Sequence, residues 1–322
     1  MTRYLARRVL TLVPLLLGIT LVTFLMATAT PGSPVSNLEF SASARPADAA
    51  RIKAQLGLDQ PPLVRYLDWL SHVARGDLGL SLTTYRPVST TILEKLPATL
   101  LLTGSALFLS LLFSIPIGIY CANRRASWID RVVTIATTGG LAIPTFWLGM
   151  MMIVLFSVKF RQWGLPALPS GGMYSLHGGG GLGDRLLHLA MPAVALAVVQ
   201  TAVWTSYVRS QMIEVLQSDY IRVASAKGLS HWAIVGRHAL RNAMLPLITL
   251  LALDIPALFG GAVVIETIFA WNGIGRLIVN ATLQRDYTVV MGEVLVIATI
   301  TVLANLLADI LYQLADPRLR HG

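Results

Sequence analysis

Few residues of this chain could do covalent or acid–base chemistry, and none has the neighbours such chemistry needs. Its four lysines (Lys53, Lys95, Lys159, Lys227) all lie outside any G-x-x-x-x-G-K-[ST] loop, where backbone amides cradle a nucleotide's phosphates. None of the six histidines is followed by Glu, so the H-E-x-x-H pair of zinc ligands is absent from the sequence. Cys121 is the single cysteine, with no partner for an internal disulfide and no nearby His or Cys to share a metal. Gly104-Ser105 lacks the G-x-S-x-G context of an exposed nucleophile. What remains is a set of ionisable residues inside apolar runs: His188, Asp254, Glu293 and Asp309. A charge facing lipid costs at least a few kcal/mol, so each should face protein or a wet cavity. Asp254 stands out, near the middle of its run, beside Pro256 and ahead of Gly260-Gly261. Two readings stay open for it: it lines a polar path through the bilayer, or it bonds a neighbouring helix.

The elements that must position these residues are membrane helices. Of 322 residues 55% are hydrophobic and 13% charged, about half the charge of a soluble domain. The net charge of +9 is scattered between apolar runs without interleaved aromatics, so it points to topology and not to nucleic acid. Six runs reach the roughly 20 residues that a bilayer crossing needs: about 9–29, 97–122, 132–158, 186–208, 242–265 and 294–314. The expected fold is therefore an all-α integral membrane protein with six transmembrane helices. Prolines inside the runs (Pro14, Pro116, Pro144, Pro192, Pro256) are tolerated in lipid and predict kinks. The first run follows Arg7-Arg8 but is longer than a signal peptide's apolar core, and it reads as a retained helix.

Lysine and arginine set the orientation. With the N-terminus inside, thirteen of them fall in the cytoplasm and five in the short outer loops. Both termini, and the loop at 209–242 between the fourth and fifth helices, are then cytoplasmic. The long segment 30–96 between the first two helices is external, with two predicted helices at 47–56 and 62–74. The second carries Leu63, Leu67, Leu70 and Ala74 on one face, fit for the membrane surface or for the bundle. The glycine-rich stretch Gly171–Gly183 reads as a flexible outer loop.

The largest polar interruption in the second half is Ser218–Pro246. Ile213, Leu216, Tyr220, Val223 and Lys227 alternate at three and four, as on one helical face. Gly228 stands where a helix would end in a left-handed residue, and Ser230 where the next would be capped. Ala224-Ser225-Ala226 forms a small-residue patch that another protein could approach. An ordinary basic cytoplasmic loop is the other reading.

This segment resembles the cytoplasmic coupling loop of ABC importer permeases. Asp219-Tyr220-Ile221-Arg222 with Ala224-Ser225-Ala226-Lys227-Gly228-Leu229-Ser230 is similar to the version in the dipeptide/oligopeptide/nickel family, D-Y-V-R-x-A-R-A-K-G-L. The acidic residue of the general pattern is missing, and Ser225 stands where that family often has Arg. Leu56–Pro62, Gly76-Asp77-Leu78-Gly79-Leu80-Ser81 and Asp316-Pro317-Arg318 also look like that family, in the member of the permease pair with a long first outer loop. Glu266-Thr267-Ile268-Phe269-Ala270-Trp271-Asn272-Gly273-Ile274-Gly275 resembles its E-T-x-F-x-W-P-G-x-G segment, with Asn272 in place of proline.

The resemblance implies a type I ABC importer permease fold forming a single membrane domain over residues 1–322, in the bacterial inner membrane. It also implies a second homologous permease, two cytoplasmic ATPases carrying the ATP and magnesium, and an external binding protein. The coupling residues would be Asp219, Tyr220, Arg222 and Ala224 to Ser230. Asp254, Pro256, Gly260 and Gly261 are the candidates for the translocation path. No catalytic residue, cofactor or metal site is expected in the chain itself, and membrane lipid is its other partner. Peptide is the expected substrate class, with nickel, glutathione or another small solute as alternatives. An ion-driven secondary transporter would be expected to carry more helices and more buried acids.

Overall fold

The computed structural model describes residues 2–29, 59–175 and 180–315. The described residues are almost wholly helical, with one isolated antiparallel bridge between Leu80 and Pro87. The predicted helix at 47–56 and the Asp316-Pro317-Arg318 ending lie outside them. The chain divides into two compact units, residues 1–97 with 276–303 and residues 98–275 with 304–322.

The first unit contains α1 (Thr2–Ala29), α2 (Pro62–Val73), the first turns of α3 (Val88–Asn123), most of α9 (Ile274–Leu283) and the start of α10 (Tyr287–Ala315). Proline opens α2, where its fixed φ suits the first turn and its missing N–H is not needed. The α2 face that packs is not the Leu63/Leu67 face: both of those leucines are exposed. Tyr66 is buried instead, its ring 5.5 Å from Phe24 and 6.2 Å from Trp69. Its hydroxyl meets Thr20 Oγ1 at 3.0 Å and the Leu17 carbonyl at 3.1 Å, so the polar tip is satisfied against α1.

The segment Gly76–Ser81 has a definite job in this unit. Gly76 and Gly79 have φ of +83° and +84°, left-handed values that cost a β-carbon-bearing residue about 1–2 kcal/mol. Asp77 accepts from the Gly79 amide at 2.8 Å to hold the turn. Ser81 then donates to Asp286 at 2.5 Å, and Thr83 adds its hydroxyl at 3.0 Å. Asp286 also accepts from the Val289 amide at 3.3 Å, capping α10.

The second unit contains the rest of α3, α4 (Trp128–Ala142), α5 (Thr145–Met152), α6 (Leu182–Leu216), α7 (Asp219–Ala226) and α8 (Leu240–Ile268). α5 runs on through a π-helical stretch, Ile153–Lys159, to a last turn, Phe160–Gln162. α8 is entered through His231–Ala233 and a second π-helical stretch, Ile234–Ala239. The run expected to cross as one helix at 132–158 is broken. Ile143 before Pro144 is extended (φ −82°, ψ 120°), and the two arms meet at 99°. The proline ring excludes its predecessor from the helical region, so the break falls there.

Among the described residues four helices are long and apolar enough to cross a membrane, within α1, α3, α6 and α10, and the bent pair α4–α5 could make a fifth. The sixth expected crossing, 242–265, falls within α8, a helix of 29 residues whose described apolar stretch is Leu258–Ile268. Many large apolar side chains are exposed along these helices, among them Phe108, Phe113 and Ile135. In water such a surface would drive aggregation; in a bilayer it faces acyl chains of equal apolarity.

Candidate functional site

Two buried clusters order the second unit. One gathers Leu102, Met191, Ile265, Phe269 and Trp271. The other gathers Trp204, Val208 and Met212 of α6, Ile221 and Ala224 of α7, Ile234, Val235 and Ala239 ahead of α8, and Ala243 and Leu247 within it. The second cluster is what seats the 218–246 loop.

That loop folds as two helical pieces around a glycine. Gln217 and Ser218 interrupt α6, so α7 starts in a new phase, and the face expected from Ile213 through Lys227 is not continuous. Ile221 and Ala224 are the buried positions, while Tyr220 and Val223 are 43% and 53% exposed. Gly228 has φ +80°, and its amide donates to the Ser225 carbonyl at 2.9 Å. Ser230 accepts from the Ala233 amide at 3.3 Å and caps the second piece. The Tyr220 hydroxyl accepts from Asn242 Nδ2 at 3.0 Å, fastening α7 to the start of α8. Asp219 and Arg222 approach to 3.4 Å at the surface, an exposed pair that contributes little.

The small-residue patch is therefore only partly available. Ser225, Ala226 and Lys227 are exposed, but the Ala224 methyl is packed inside. The exposed apolar groups are Tyr220, Val223, Leu229 (41%) and above all Trp232 (79%). Sequence spacing missed Trp232. A large indole left uncovered in a polar loop is the signal that could have found it.

Of the candidate path residues, Asp254 is half-buried on α8. The indole Nε1 of Trp204 on α6 is buried and makes no hydrogen bond among the described residues. Gly261 is a packing position, since a β-carbon there would stand 3.0 Å from Leu196 Cδ1 of α6. Gly260 is exposed, with open space around it. The side chains of Pro256 and Asp309 lie outside the described residues. Glu293 is fully buried in α10.

His188 belongs to a different device. Its Nδ1 donates toward the carbonyls of Gly171 (3.0 Å) and Gly172 (3.2 Å), while Nε2 faces Ser175 Oγ (3.3 Å) and Asp184 (3.5 Å). Ser175 commits its proton to Asp184 at 2.7 Å, so the histidine orients the loop and does not activate a nucleophile. The Gly172 amide further donates to the Phe269 carbonyl at 2.8 Å. The glycine-rich stretch is thus pinned at its start instead of flexible there. A β-carbon on Gly171 would meet that same carbonyl oxygen at 2.7 Å.

The described residues make up an apolar helical membrane protein with a capped two-piece loop in its second half. Residues 114–321 match the family described as binding-protein-dependent transport system inner membrane component, and residues 1–103 match the N-terminal part of such membrane components. The chain belongs to this family. It is 42% identical to the oligopeptide transport system permease protein AppB of Bacillus subtilis, over all of both chains. It is 38% identical to the di/tripeptide permease DppB of Pseudomonas aeruginosa, over 100% of this chain and 99% of that one. The dipeptide permease DppB of Escherichia coli K12 is 37% identical, again over 100% and 99%.

Proposed function

We propose that this chain is one of two permease subunits of an ATP-driven importer of di- or oligopeptides. The carrying observation is the identity of 37–42% with peptide permeases along the length of the chain. On this reading both termini and the 218–246 loop are cytoplasmic, in keeping with the lysine and arginine asymmetry. Two ATPase subunits hold the ATP and magnesium, and an external binding protein delivers substrate. The chain itself performs no chemistry.

The loop residues Asp219 to Ser230 form the joint with an ATPase subunit. Support comes from the exposed group Tyr220, Val223, Leu229 and Trp232 on a base fixed by Ile221 and Ala224. ATP-driven closure of the ATPases would push this base and reorient the bundle. Asp254, with Gly260 six residues further along the same helix, lies on the path that opens. The test is reconstitution of the full complex in vesicles with labelled dialanine. Uptake that needs ATP and the binding protein, without an ion gradient, is expected. Uptake driven only by an ion gradient, or of nickel or glutathione but no dipeptide, overturns the reading or its substrate.

A further inference from the structure

Arg209 of α6 grips Asp130 in the first turn of α4 with two parallel bonds, Nε to Oδ1 at 2.5 Å and Nη2 to Oδ2 at 2.8 Å. The Asp130 side chain is 4% exposed and that of Arg209 26%, so the pair is largely withdrawn from solvent. Two-point contact between planar groups fixes orientation as well as distance, which a lysine could not do. The carboxylate is itself held from behind. Its Oδ2 accepts from the amide of Ala126 at 2.9 Å, a residue with φ +63° at the tight turn between α3 and α4. Ser127 caps the Asp130 amide at 3.2 Å.

The other side of Arg209 is equally fixed. A β-carbon on Gly118 of α3 would stand 2.8 Å from Val208 and 3.1 Å from the Arg209 amide, so α3 and α6 touch backbone to backbone there. One residue earlier and three later, Val208 and Met212 enter the buried cluster that seats Ile221 and Ala224 of α7. α7 is thus joined to Arg209 by packed side chains, and Arg209 to α4 by the fork. The far end of α4 is the 99° bend at Ile143-Pro144. Apolar contacts can slide; an oriented, part-buried two-point ion pair holds its register.

We propose that the Arg209–Asp130 fork carries displacement of the loop helix α7 into α4 and its bend, making both residues positioning residues for the coupling of ATP hydrolysis to transport. The inference rests on the proposed importer function. It goes beyond the loop itself, to the element the loop must move. α4 and α6 also pack side by side, with Gly140 against Ala202, and the fork adds an oriented polar contact to that packing, a physical means by which such a displacement travels.

The experiment uses the reconstituted complex with its ATPases and binding protein, and reads both dialanine uptake and ATP hydrolysis. Wild type lacking ATP-dependent uptake would defeat the importer reading itself, and is scored first. Given an active wild type, Arg209→Lys keeps the charge but loses the fork, and should raise ATP hydrolysed per dipeptide by about fivefold or more. Asp130→Asn should do the same. The exchanged pair Asp130→Arg with Arg209→Asp should recover part of the lost coupling. Single variants with wild-type coupling overturn the proposal. So do single variants that merely lower abundance in the membrane while the surviving complexes keep the wild-type ratio, since the pair would then be structural only.

Discussion

Thr99 donates its hydroxyl to Glu266 Oε1 at 2.5 Å, joining the start of α3 to the end of α8 across 167 residues of sequence. Glu266 has no exposed surface. The same Thr99 oxygen accepts from the Ile274 amide at 2.9 Å, and the Trp271 indole donates to the Ala98 carbonyl at 2.9 Å. The turn from Phe269 to Gly275 is wound around this carboxylate. Gly273 is required there because a β-carbon would collide with Glu266 and with Thr99 Oγ1.

Removing the donor should therefore cost stability without touching any transport residue. Thr99→Val leaves a buried carboxylate short of a bond, a loss of about 1–3 kcal/mol, while Thr99→Ser should stay close to wild type. Gly273→Ala should be at least as severe, because backbone and carboxylate must separate. Thermal unfolding of detergent-purified complex reads all three. Equal midpoints for Thr99→Val and Thr99→Ser would show that the bond contributes nothing.

The ATPase joint makes a separate prediction. Trp232→Ala and Val223→Arg alter exposed groups and should leave membrane abundance near normal, while ATPase co-purification falls several-fold. Gly228→Val meets open space but forces a branched side chain to φ +80°, at about 1–2 kcal/mol, and should weaken the same contact. Ala224→Arg is the wrong probe, since it would drive a charge into the cluster beneath α7. Full ATPase recovery with both Trp232→Ala and Val223→Arg would rule out this face.

Asp254→Asn replaces an ionisable carboxyl of α8 with an amide of nearly the same volume. The expected outcome is a normally assembled complex with lower uptake or an altered preference among dipeptides. Competition assays with neutral, acidic and basic dipeptides check this. Unchanged uptake and preference would remove Asp254 from the path.

Sidedness can be read with single cysteines, because the native Cys121 is buried. Gly181→Cys should react with an impermeant maleimide added to intact cells, and Trp232→Cys only after permeabilisation. The reverse pattern would invert the assignment of both loops.

Membrane class, helix count to within the α4–α5 and α8 regions, and the capped turn at Gly228 were legible in the residues, because each depends on a local property. Hydropathy over 20 residues decides whether a segment enters lipid. A glycine followed by a serine decides where a helix can stop and restart. Pro144 was legible as a kink, but its 99° size was not, since packing sets how far a broken helix turns. Tyr220, Val223 and Lys227 do share one face of α7, but that this face is the exposed one and that Ala224 packs inside was not legible, because the two-residue interruption at Gln217-Ser218 resets the helical phase relative to α6. The pairs Thr99–Glu266, Ser81–Asp286 and Asp130–Arg209 could not be found in the sequence at all, with separations of 167, 205 and 79 residues. A buried carboxylate announces only that it needs partners; which residues supply them is fixed when helices distant in sequence pack side by side.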